Sequence, residues 1–117
     1  DRLDLNKPIK ITEGPIDSLF LSNAVALAGA DADINLQPQQ CTMIFDNEPR
    51  NQEIINRMIK AVDKKFNLVV WPKSLKYKDI NDMIIAGKTS AEIETIISNN
   101  TYCGLTARQH INNWKGI

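Results

Sequence analysis

Apolar positions along this chain follow two rhythms. Short, almost wholly apolar runs, Cys41-Thr42-Met43-Ile44-Phe45 and Leu68-Val69-Val70-Trp71, read as strands covered on both faces. Between and after them apolar residues recur at helical spacing. Ile54, Ile55, Met58, Ile59 and Val62, with charges on the opposite face, predict a helix over about residues 51–65. Residues 9–12 form a further strand, entered after Pro8. Glu13-Gly14-Pro15 then hands over to a short helix across residues 15–23, with Ile16, Leu19 and Phe20 on one face. Gly14 is assigned the tight turn, and Asp17 lies in the first helical turn, at the favourable end of the dipole. The small apolar run 24–29 has strand length and ends in glycine, and 30–40 is a polar connection. After Pro72 closes the fourth strand, a helix is expected over 79–86 with Gly87 as its stop. Thr89 and Glu92 have capping-box spacing for a helix to about Ser98 that packs on Ile93, Ile96 and Ile97. A last helix, about 106–114, presents Leu105, Ala107, Ile111 and Trp114.

Strands alternating with helices imply an α/β, Rossmann-like fold with a central, mainly parallel four-stranded sheet. Parallel strands open all their carboxyl ends on one edge. If the first and third strands are neighbours, flanked by the second and fourth, the order is 2-1-3-4 and the switch point lies between the first and third. Glu13, Asp46 and Glu48 then converge there, with Asp79 or Asp82 arriving from the next loop. Taken alone, Glu13 reads equally well as a solvated turn carboxylate.

Composition removes several alternatives. The 117 residues suit one domain, able to bury roughly two thirds of its unfolded surface. With 14 basic and 14 acidic residues the formal charge is zero, so any polyanion must be met by a local patch. No apolar run approaches the roughly 18 residues of a membrane span, and there is no signal peptide, so a cytoplasmic setting is expected. Because the chain opens on Asp1 and not Met, it is expected to be a piece of something longer. Cys41 and Cys103 lack CxxC spacing and are expected reduced and buried, with no zinc site.

Two like charges about 4 Å apart repel by about 4 kcal/mol at an effective dielectric of 20. Several carboxylates in one crevice must therefore be protonated, paired with lysine or bound to a cation. An oxygen-only ligand set points to Mg²⁺ or Mn²⁺, which also use substrate phosphates as ligands. Lys73, Lys76 and Lys78, interleaved with Trp71 and Tyr77, are either a solvated charged loop or a site that grips a phosphate backbone and stacks a base. Arg50, beside the acids, is a further candidate for triphosphate contact. His110 and Trp114 read as packing residues.

Glu13-Gly14-Pro15-Ile16-Asp17 resembles the EGxxD motif of the Toprim domain, found in bacterial-type primases, topoisomerases and some nucleases. Asp46-Asn47-Glu48 stands where Toprim proteins carry DxD, and Lys78-Asp79-Ile80-Asn81-Asp82 resembles the KDxND segment of phage primases. Order and spacing match over about residues 9–86. The tail around Asn100-Thr101-Tyr102 and 104–108 is similar to the segment after the Toprim core in T-even-like phage primases. Two departures stand out: Glu48 replaces the second Asp, and no glycine comes after it. Tyr77 and Tyr102 lack the context of a topoisomerase nucleophile.

The resemblance implies a Toprim domain of a phage-type DNA primase, with residues 1–8 as lead-in, 9–86 as core and 87–117 as a helical extension packed on it. Glu13 would be a metal ligand or a general acid/base. Asp46 and Glu48 would hold Mg²⁺ (or Mn²⁺), Asp79 would complete the metal shell and Lys78 would neutralise phosphate. Asp17 would be either a helix-capping residue or part of the site. Implied partners are single-stranded DNA template, ribonucleoside triphosphates and, through the full-length protein, a replicative helicase. Two other classes share these acids: a Toprim-type metal-dependent nuclease and a non-enzymatic Mg²⁺-binding α/β module.

Overall fold

The computed structural model describes residue 4 and residues 6–26 and 37–116. Its elements run β1 (Ile9–Thr12), α1 (Pro15–Ser18), β2 (Ala24–Ala26), a 3-10 turn (Pro38–Gln40), β3 (Cys41–Ile44), α2 (Gln52–Asp63), β4 (Asn67–Val69), α3 (Ile80–Ile85), α4 (Ser90–Asn99), β5 (Thr101–Tyr102) and α5 (Gly104–Lys115). Of the expected elements, the end of the second strand (27–29), most of the polar connection (30–36) and much of the lead-in fall outside the described residues, as does the packing of Ile16.

The sheet order is β2-β1-β3-β4-β5. The first four strands are parallel, with Thr12 opposite both Ala26 and Ile44, and Met43 opposite Leu68. β1 and β3 are therefore neighbours, and the switch point lies between them. Among the described residues the sheet has five strands, which corrects the expected count of four. Asn100 closes α4, its side-chain amide donating to Ile96 O at 2.8 Å. The chain then returns antiparallel to β4, pairing Thr101 with Val69 and Tyr102 with Leu68. Two residues carry too little periodicity to be read as a strand.

Side-chain alternation across the sheet builds a core on each face. Ile9, Ile11, Cys41, Met43, Phe45, Leu68 and Val70 pack with α2 and with Ala107, Ile111 and Trp114 of α5. On the other face Ile44, Val69 and Trp71 meet Leu21, α3 and α4. Residues from the expected extension thus contribute both a strand and a core helix.

Helix ends explain where each element stops. Asn51 accepts from the N–H groups of Glu53 and Ile54, opening α2. At the other end Lys65 takes φ +76°, while its N–H reaches Val62 O and Phe66 N–H reaches Ala61 O. That is a Schellman motif with lysine where glycine is usual. α3 ends the same way at Gly87, φ +106°, with bonds from Gly87 to Ile84 and Lys88 to Met83. The Thr89/Glu92 capping box is present at α4. α1 is shorter than expected: the chain turns after Ser18, Leu19 is left 79% exposed, and Asn23 at φ +49° redirects the backbone into β2. Asn readily adopts that conformation. Leu105 likewise stands 88% exposed, because only Ala107, Ile111 and Trp114 lie on the inward stripe of α5. Cys41 is buried as expected, but Cys103 is exposed at the start of α5; both are free thiols.

Candidate functional site

The carboxyl ends of β1 and β3 set Glu13 and Asp46 side by side, since Thr12 and Ile44 are paired in register. Asp46 is half-buried. Its carboxyl group is pushed up to about 6, first by burial and then by the charges of Asp79, Glu13, Asp17 and Glu48. The charges of four carboxylates, from three loops and α1, thus act on a fifth. This potential is what a cation or a positively charged side chain would relieve.

Each neighbour has its own anchor. Glu13 is ion-paired to Arg57 of α2, which also lies 3.6 Å from Glu53 one turn earlier. Asp79 caps α3, accepting from Asp82 N–H at 2.8 Å. Asp17 accepts from Asn81 N–H at 3.0 Å, so it braces the first turn of α3 and not its own helix. Burial raises the Asp17 carboxyl; the Asn81 bond opposes that, and the charges of Asp79 and Asp82 add to it. Glu48 is half-buried and, with Pro49, Arg50 and Asn51, lines an open depression of about 430 Å³. Gly14 is not needed for its turn: its φ is not left-handed, and an added Cβ would meet nothing within 4 Å. What shapes this corner is Thr12, whose buried hydroxyl donates to Gly14 O at 2.9 Å.

The donor chemistry fits a hard cation, because all candidate ligands are carboxylate oxygens. Among the described residues, however, no three His, Cys, Asp or Glu side chains stand together at metal-ligand spacing. Glu13 is engaged by Arg57 and Asp79 by its own helix. The set therefore does not form a closed protein cage for a cation.

Beside the acids lies the basic loop. Lys73, Lys76 and Lys78 are exposed, as is Arg50. Trp71 cannot stack a base: it is 2% exposed and its Nε1–H donates to Phe45 O at 2.8 Å. Tyr77 stands at the surface. Lys73 and Lys76 line a cleft of about 200 Å³ with Asn47, Pro49, Pro72 and Trp114. His110 stacks on Tyr102 with ring centroids 3.6 Å apart, a packing role that ties α5 to β5.

Sequence reasoning missed two residues. Arg57 sits on the polar face of α2, and nothing local marks it because its partner is 44 positions away. Asn47 reads as a spacer between two acids, yet its side chain donates to Leu75 O and Tyr77 O, each at 3.1 Å, and accepts from Trp114 Nε1 at 2.9 Å.

No protein-family profile matches the chain. It is similar to the DNA primase of Enterobacteria phage T4, being 38% identical over 113 residues. The match covers 93% of this chain and 33% of that protein, so the chain spans about a third of the length of the curated relative it matches. Described helices include none long and apolar enough to cross a membrane. With its α/β sheet and the acids gathered around Asp46, this similarity supports a primase-related domain.

Proposed function

We propose that the chain is the Toprim-type catalytic domain of a DNA primase, acting in Mg²⁺-dependent nucleotidyl transfer that makes RNA primers on single-stranded DNA during phage replication. The observation that carries this reading is the set of carboxylates whose charges act on Asp46, beyond the switch point of the sheet, in a chain similar to a phage primase. Residues 9–86 form the Toprim core in this reading, 1–8 the lead-in and 87–117 the extension.

In the reaction, a primer 3′-hydroxyl attacks the α-phosphorus of a ribonucleoside triphosphate. The new P–O bond forms as the bond to pyrophosphate breaks, and the hydroxyl proton passes to Glu13 or to water. Asp46 and Glu48, with Asp79 at the edge, would hold Mg²⁺ or Mn²⁺, whose contribution is to stabilise charge on the transferring phosphoryl group. Lys78 neutralises phosphate, while Arg50, Lys73 and Lys76 meet the nucleotide or the DNA backbone. Arg57 orients Glu13 through their ion pair. The domain alone is expected to prime weakly or not at all. The full-length protein, in the host-cell cytoplasm, would engage template DNA and a replicative helicase.

Mn²⁺ titration followed by paramagnetic NMR broadening tests this reading. Broadening confined to Glu13, Asp46, Glu48 and Asp79, and weakened in Asp46→Asn, is expected. Absence of localised broadening with and without nucleotide would sink the catalytic reading.

A further inference from the structure

Asn47 uses every polar atom of its side chain, and its main-chain N–H as well. Nδ2 donates to Leu75 O and Tyr77 O at 3.1 Å, and the backbone N–H donates to Lys78 O at 2.6 Å. On the opposite side Oδ1 accepts from Trp114 Nε1 at 2.9 Å, and Trp114 is itself 3% exposed. One residue, flanked by Asp46 and Glu48, thereby ties three segments together: the acidic turn, the lysine-bearing loop after β4, and the end of α5. Between them lies the 200 Å³ cleft that Lys73 and Lys76 line. Sites enclosing a whole ligand usually reach roughly 300–1,000 Å³, so this one suits a single charged arm of a larger molecule. Among the described residues no acid lines the cleft, so its two lysines select an anion, and Asp46 and Glu48, which flank Asn47 in the chain, offer carboxylates to a cation that the anion carries.

We propose that Asn47 is a positioning residue that holds the lysine loop at a set distance from Asp46 and Glu48, making the cleft a seat for the polyphosphate arm of a nucleoside triphosphate. This rests on the primase reading of the acidic site and extends it to how the nucleotide is held. The amide is required for two reasons. Alanine would release the Leu75 and Tyr77 carbonyls and the Trp114 N–H together. Aspartate would turn a donor into an anion facing two carbonyl oxygens and would add a charge beside Asp46.

The test is calorimetric titration of the 117-residue chain with Mg·ATP, combined in a double-mutant cycle. The variants are Asn47→Ala, the pair Lys73→Ala/Lys76→Ala, and all three changes together. Asn47→Ala should weaken Mg·ATP by about tenfold, yet by less than about twofold where both lysines are already absent, because it acts through them. Mn²⁺ broadening at Asp46 should persist in Asn47→Ala. Trp114→Phe provides a milder second variant: it removes the bond that orients the amide while keeping an aromatic ring in the core. It should weaken Mg·ATP about threefold in the wild-type background only. Unchanged Mg·ATP affinity in Asn47→Ala, or a full tenfold loss that persists without the lysines, overturns the positioning role while Mn²⁺ binding still stands. Loss of Mn²⁺ broadening in the wild-type chain overturns the acidic site, and this role with it.

Discussion

Replacing Asp46 with asparagine should stabilise the metal-free protein, and by an amount that depends on pH in a defined direction. The native Asp46 carboxyl titrates at about 6 against an ordinary value of 3.8, chiefly because it is buried and then because Asp79, Glu13, Asp17 and Glu48 repel its charge. Below pH 3.8 the group is protonated whether the chain is folded or not, so it contributes nothing to the pH dependence. Between 3.8 and about 6 the unfolded chain has released the proton while the native state retains it, and stability falls as pH rises. Each such pH unit costs about 1.4 kcal/mol, giving about 3 kcal/mol over the window; solvent around a half-exposed carboxylate reduces this to about 2 kcal/mol. Above about pH 6 the cost is fully present and constant. Asparagine has the same shape and no charge. Urea unfolding in EDTA at pH 4, 5, 6 and 7.5 should therefore show the variant and wild type equal at pH 4, with the variant about 2 kcal/mol more stable at pH 7.5. Added Mg²⁺ should reverse part of that gap by binding native wild type more tightly than the variant. A stability difference that does not change with pH, or a wild type more stable at pH 7.5 in EDTA, would refute the account of Asp46 as a repelled, buried acid.

Three further outcomes are expected. Lys65→Gly should raise stability by about 0.5–1 kcal/mol in the same urea assay, since lysine pays the left-handed penalty at φ +76° and its side chain is exposed; a destabilised variant would mean the lysine makes a contact that offsets the strain. Arg57→Gln removes the ion pair that orients Glu13, so Mn²⁺ should bind about two- to fivefold more weakly by relaxation titration; tighter binding would show that the arginine competes with the metal for Glu13. Trp71→Phe should cost about 2–3 kcal/mol through the unpaired Phe45 carbonyl and a small void. Mg·ATP affinity should nonetheless stay within about twofold, and a larger loss would restore Trp71 as a base-stacking residue.

Local sequence determined much of this protein. Helical and strand periodicities located β1, β3, β4 and α2 to α5 to within a few residues, because each repeats its apolar stripe inside its own span. Glycine and capping residues marked the ends of α3 and α4 for the same reason: Gly87, Thr89 and Glu92 act on backbone groups within a few positions of themselves. Parallel connectivity put the strand ends and their acids at one sheet edge, but the order 2-1-3-4 held in the sequence only on the condition that β1 and β3 are neighbours, which the sheet meets. The tertiary structure alone decided how those acids are held. Arg57 meets Glu13 across 44 positions, Asp17 meets Asn81 across 64, and Trp114 meets Asn47 across 67. No periodicity records such pairings, since a side chain's distant partner depends on how whole elements pack. The same holds for β5, whose two residues become a strand only because β4 offers an open edge, and for Trp71, whose ring is available to a base or enclosed in the core according to packing alone. Sequence thus set the elements and the edge where charge collects; packing decided which of those charges are paired, raised in pKa or bound to neighbouring loops.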